Sequence, residues 1–141
     1  MQHRLLIVED DASIAELVGT IARGAGFEVR AITSSHDIAA LHDGFRPDVI
    51  VLDVLMPEMD GFDVLNYLHE CDSDAKIVLL SGSSSYREMA EKMAEAHGLR
   101  IAANLAKPFR APSLRLALEG IRQNLMTFAV ADESTRKALQ A

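Results

Sequence analysis

Two of the most apolar stretches in this chain run straight into acids. Leu5-Leu6-Ile7-Val8 is followed by Glu9-Asp10-Asp11, and Val49-Ile50-Val51-Leu52 by Asp53. An ionised carboxylate is expensive to bury alone, so each position needs either a neutralising partner or a use. Two further apolar runs end in groups that could supply one. Ile77–Leu80 leads into Ser81-Gly82-Ser83-Ser84-Ser85, and Ile101–Ala106 into Lys107-Pro108-Phe109. Carboxylates crowded at neighbouring strand ends repel and raise one another's pKa. A lysine or a divalent cation relieves that repulsion. An oxygen-only donor set of two or three carboxylates, without a supporting His or Cys pattern, suits Mg2+. Glu9-Asp10-Asp11 alone would read as a turn capping a helix that begins near Ala12. It is the coincidence with Asp53, Ser81 and Lys107 that suggests chemistry.

The elements that must bring these residues together are legible as well. The four apolar runs have the length and continuity of strands covered on both faces. Phe27-Glu28-Val29-Arg30-Ala31-Ile32 alternates apolar with polar residues and belongs at a sheet edge. Ile14, Leu17, Val18 and Ile21, and later Leu114, Leu118, Ile121 and Leu125, are spaced as single helix faces. Weaker helical patterns cover Ser35–Gly44, Phe62–Cys71 and Tyr86–His97. Asp60 is placed to cap the third helix, and Ser84 or Ser85 the fourth. Five strand–helix units specify an α/β protein with a doubly wound parallel sheet and five helices. With the alternating strand at one edge, the strand order is the flavodoxin-like 2-1-3-4-5. Strands 1 and 3 then lie side by side, about 5 Å apart, with their acids at the switch point.

Composition narrows the function classes. The chain has 141 residues, a hydrophobic share of 49% and a formal charge of -7. That charge argues against direct nucleic-acid binding by this segment. A single cysteine, Cys71, allows no internal disulfide and reads as an inert thiol on a helix. No signal-peptide pattern and no run of membrane-spanning length is present, so the expectation is a soluble, cytoplasmic protein. His3, His36, His42, His69 and His97 lack ligand spacing and read as surface residues. Met56, Met59, Met89 and Met93 read as packing or turn residues. No glycine-rich phosphate loop occurs, which speaks against ATP binding.

Four motifs in order now carry a family resemblance. Val-Glu-Asp-Asp follows strand 1, Leu-Asp-Val-Leu-Met-Pro-Glu-Met-Asp-Gly surrounds Asp53, Leu-Ser-Gly follows strand 4, and Ala-Lys-Pro-Phe follows strand 5. Over roughly Arg4–Asn124 the chain resembles the receiver domain of two-component response regulators. The resemblance implies that Asp53 accepts a phosphoryl group from a histidine kinase, a phosphotransfer protein or a small acyl phosphate. It implies Mg2+ held by Asp10 directly, by Glu9 through water, by Asp53 and by the backbone carbonyl of Leu55. Ser81 and Lys107 would bind the phosphoryl oxygens. Catalysis would extend only to the domain's own phosphorylation and dephosphorylation. The output face would be helix 4, strand 5 and helix 5, and the family leaves room for a homodimer.

Two rival readings share the sheet. An aspartate-nucleophile phosphohydrolase carries an acid two positions after its nucleophile; here that position is Leu55, which can neither protonate a leaving group nor activate water. An unmodified docking module of the same fold would not need the charged set that is present. The resemblance also suggests a cis peptide at Lys107-Pro108. One departure stands out: three residues before the lysine the family often has Tyr or Phe, and this chain has Asn104. Its amide is expected to bond the loop around Ser83–Ser85. Residues 1–125 read as the receiver. Residues 126–141 read as a linker or the start of a further helix, capped by Asp132 or Ser134 and leading to an output domain after residue 141.

Overall fold

The computed structural model describes the backbone of residues 2–56 and 59–140, and the side chains of those residues other than 35, 55, 56, 59, 60 and 128–140. The elements are β1 (Arg4–Val8), α1 (Ala12–Gly24), β2 (Glu28–Ile32), a 3-10 turn (Ser35–Asp37), α2 (Ile38–Phe45) and β3 (Val49–Asp53). Then come the two-residue strands β4 (Leu55–Met56) and β5 (Met59–Asp60), α3 (Gly61–Glu70), β6 (Lys76–Ser81), α4 (Ser84–Ala96), β7 (Arg100–Ala106) and α5 (Ala111–Gln140).

Five parallel strands form the main sheet in the order β2-β1-β3-β6-β7. Counting only these strands, the order is the expected 2-1-3-4-5. The period of two along each strand divides the core. Leu6, Val8, Ile50, Leu52, Ile77 and Leu79 face α2, α3 and α4, where Ile38, Val64, Leu68 and Ala90 cover them. Leu5, Ile7, Val49, Val51, Val78 and Leu80 face α1 and α5, against Val18, Ile21, Leu114 and Leu118. The central strand β3 is buried throughout, whereas the edge strands β2 and β7 are largely exposed or half-buried.

Asp11 caps α1, its carboxylate accepting from the amides of Ser13 and Ile14. Several local expectations need correction. Leu17 is 47% exposed, because the inward stripe of α1 runs through Ala15, Val18, Ile21 and Ala22. The cap of α4 is Ser83 rather than Ser84 or Ser85. Its extended backbone brings Oγ to the Tyr86 amide, three residues on. His42 is no surface residue: its side chain is mostly buried, and Nε2 lies 2.9 Å from Ser73 Oγ. Cys71 sits in the turn just after α3, with its thiol pushed upward by burial. Asp60 as a cap, and the side chains of Met56 and Met59, lie outside the described residues.

The tail also differs from expectation. One helix of 30 residues, α5, runs through the predicted linker and past Asp132 and Ser134 without a new start. Ala129 and Ala131 precede the acids, so the chain offers no Gly or Pro at which a helix would stop.

Candidate functional site

The five strands of the main sheet run parallel, so their carboxyl ends share one edge, and five of the singled-out side chains meet there. Glu9 follows β1 and is 1% exposed; Asp53 ends β3 and is 3% exposed; Ser81 ends β6 and is fully buried. Asp10, next to Glu9, is half-buried and opens the site to solvent. Lys107 follows β7, and its amide donates to the Ser81 carbonyl at 2.9 Å, which extends the β6–β7 pairing past the strand ends. The Lys107-Pro108 peptide is cis, as expected.

The lysine is the keystone. Its Nζ donates to Glu9 Oε2 at 2.7 Å and to Asp53 Oδ2 at 2.9 Å, joining residues 98 and 54 positions apart. These are short, charge-assisted bonds in a nearly dry setting. Burial pushes the Glu9 carboxyl up to about 7, and the nearby Asp53 charge adds to that. The hydrogen bonds from Lys107 and from the Asp11 amide pull the other way without prevailing. Burial works downward on the Lys107 ammonium, but its bonds to both carboxylates prevail and hold it above its ordinary value.

One ammonium does not balance three acids. One oxygen each from Glu9, Asp10 and Asp53 lie within 4.8 Å of one another, close enough for a single cation to touch all three. The donors are hard oxygens on two strand ends, a set that fits Mg2+ or another small divalent ion.

Two supporting residues escape a reading of the sequence alone. Gly61 opens α3 directly against the strand end that carries Asp53. A Cβ there would meet the Val54 carbonyl oxygen at 2.7 Å and Val54 Cα at 2.8 Å. The only signal in the sequence is a glycine at the turn, which has many commoner explanations. Ser83 is the other. Its amide donates to Ser81 Oγ at 3.1 Å while its own hydroxyl caps α4, so the hydroxyl of the site is tied to a helix. Asn104 does not bond the Ser83–Ser85 loop as expected. Its side chain bridges two residues of α4, Arg87 and Glu91.

Comparisons with known proteins follow the same outline. The family model described as the response regulator receiver domain matches residues 5–119. The DNA-binding response regulator MtrA of Mycolicibacterium paratuberculosis is 37% identical over 84 residues, covering 60% of this chain and 37% of that protein. The chemotaxis protein CheY of Thermotoga maritima is 33% identical over 82 residues, or 57% of this chain and 68% of that one. Among solved structures, a response regulator from Colwellia psychrerythraea superposes with a TM-score of 0.75 at 31% identity, covering 88% of this chain and 99% of the other. The chain thus spans little more than a third of the length of the MtrA relatives it matches. Among the described residues, no helix is long and apolar enough to cross a membrane.

Proposed function

Given that the chain belongs to the response regulator receiver family, we propose that it is a phosphoacceptor whose covalent site is Asp53. The observation that carries this reading is the pair of bonds from Lys107 to Glu9 and Asp53 at the carboxyl edge of the sheet.

A carboxylate oxygen of Asp53 attacks the phosphorus of a phosphohistidine or a small acyl phosphate. The bond from phosphorus to the donor's nitrogen or oxygen breaks, and the donor leaves with that electron pair. Asp10, Asp53 and the Leu55 carbonyl, with Glu9 through water, would hold Mg2+, which would offset repulsion between the carboxylates and the phosphoryl oxygens. Lys107 already touches the nucleophile, so its ammonium is placed to follow charge onto the phosphoryl group. Ser81, whose Oγ accepts from the Ser83 amide in the unmodified protein and so keeps its proton free, turns that hydroxyl towards a second phosphoryl oxygen and donates to it. Leu55 supplies no acid or base two positions after Asp53, so the product persists rather than turning over as in a phosphohydrolase.

The donor is a histidine kinase or phosphotransfer protein, and the compartment is the cytoplasm. Residues 1–125 form the receiver, with 126–141 as a lead towards an output segment. MtrA is named as DNA-binding; for this chain, with its charge of -7, DNA contact belongs to such a segment and not to the receiver.

Incubation with acetyl phosphate, followed by intact-mass spectrometry, tests the reading. The expected result is one added phosphoryl group in Mg2+ and none in excess chelator. No addition in either condition overturns it.

A further inference from the structure

We propose that Arg87, Asn104 and Glu91 form a latch that holds α4 on β7 while Asp53 is unmodified, and that it opens at the Arg87 end on phosphorylation. The proposal rests on the reading of Asp53 above.

Asn104 lies in register with Leu79, and its neighbours Ala103 and Leu105 pack on the α1–α5 side of the sheet. Strand alternation therefore turns Asn104 towards α4. There its Oδ1 accepts from Arg87 Nη1 at 3.2 Å and its Nδ2 donates to Glu91 Oε2 at 3.0 Å. The two charges fix the amide's orientation, since a flipped amide would oppose both. Arg87 and Glu91 are four apart on one helix face, in the weaker order for a direct ion pair. The amide between them ties both to the sheet.

The two ends of the latch are not equal. Arg87 Nε is buried without a hydrogen-bond partner, so part of the guanidinium is desolvated for nothing and regains water on leaving. Glu91 is exposed and keeps its hydration on either side of the change. It stands on the middle of α4, whose Ala90 and Ala94 are fully buried against the sheet. Arg87 stands on the first turn instead, and its amide donates to the Ser83 carbonyl.

That turn is wired to the site. Ser81 Oγ accepts from the Ser83 amide, and Ser83 Oγ accepts from the Tyr86 amide. When Ser81 swings its hydroxyl to a phosphoryl oxygen, Ser83 loses its acceptor and the cap must rearrange. Arg87 then moves while Glu91 stays. The two states differ by named contacts, as ligand-driven switching requires.

Amide NMR of wild type, Asn104→Ala and Arg87→Ala, each with Mg2+ and with or without beryllofluoride (a phosphoryl mimic), tests the latch. In the free variants, resonances of residues 84–91 should shift along the line towards their wild-type beryllofluoride positions, leaving a smaller further change on adding the mimic. Labelling of Asp53 by acetyl phosphate should be unaltered. Should a variant fail to fold, Glu91→Ala against Glu91→Gln asks the same question from the exposed end. Gln retains an oxygen to accept from Asn104, so only Ala should shift. Wild-type positions and a full-sized response in the variants overturn the latch alone. Absence of any wild-type response around Asp53 removes the receiver reading, and the latch with it.

Discussion

The two ends of the sheet carry similar residue types and opposite electrostatics. At the amino-terminal end of the strands, a cavity of about 670 Å³ is lined by His42, Asp43, Arg46, Asp48, Asp72 and Asp74, among others. Its acids stand in water; the Asp43 side chain is 73% exposed. Its polar groups bond locally, although His42 Nδ1 is buried without a hydrogen-bond partner, 3.6 Å from the Asp43 carboxylate. His42 meets Ser73, and Tyr67 donates to Asp43 with its own hydroxyl pushed up to about 12 by burial and by that carboxylate. At the carboxyl end Glu9, Asp53 and Ser81 are buried, and one ammonium serves two carboxylates. The feature that sets this end apart is charge kept out of water, three acids gathered around one ammonium.

Removing the ammonium breaks this contrast most severely. Lys107→Ala should slow acetyl phosphate labelling on the order of 10²-fold, the usual penalty for losing one aimed donor. His42→Ala, at the other end, should leave the labelling rate unchanged. Intact-mass time courses of the two variants would settle the ranking, and equal losses would erase the distinction between the ends.

Gly61→Ala comes next. The added methyl overlaps the Val54 carbonyl on the strand end that carries Asp53. Overpacking against backbone should destabilise the fold by about 1–3 kcal/mol, read as a lower urea midpoint. Labelling should fall as well, since Asp53 shifts with its strand. Unchanged stability would mean that α3 stands off the strand more easily than its close approach implies.

A subtler effect lies in pH. The Glu9 carboxyl goes from 4.5 when unfolded to about 7 when folded. Between those values the folded chain binds the proton more tightly. The stability contributed by this group is therefore complete below 4.5 and is lost as pH rises through about 7. Without Mg2+, the urea midpoint of wild type should drop relative to Glu9→Gln across that window. With Mg2+ the drop should shrink, because the ion takes the proton's place on the deprotonated carboxylate. Parallel curves for the two proteins would show that Lys107, and not burial, governs Glu9. The smallest effect is expected from Cys71→Ser at the amino-terminal cavity, where the residue is exposed and its partly buried thiol donates to the Leu68 carbonyl at 3.6 Å. Its urea midpoint should stay within the scatter of wild type.

The contrast also explains what could be seen in the sequence. Strand ends are legible because an apolar run that stops at an acid, a serine or a lysine marks both the strand and its edge. Parallel topology then gathers those ends without knowledge of any contact. Glu9, Asp10, Asp53, Ser81 and Lys107 were readable for that reason. Positions that depend on a partner distant in sequence were not. Asn104 needed the azimuth of α4, Gly61 needed the approach of α3 to Val54, and His42 needed Ser73 to become an interior residue. Local rivalry misled in two further places. Any of three successive serines could cap α4, and backbone geometry chose the first. Asp132-Glu133-Ser134 can start a helix but can equally continue one, and α5 continues.

The central claim is that Asp53 is the residue modified. Phosphorylation with acetyl phosphate and Mg2+, reduction with borohydride to convert an aspartyl phosphate to homoserine, and peptide mapping would test it directly. The account predicts homoserine at position 53 in wild type and none anywhere in Asp53→Asn. Homoserine at another aspartate in wild type, or undiminished labelling of Asp53→Asn, would contradict it.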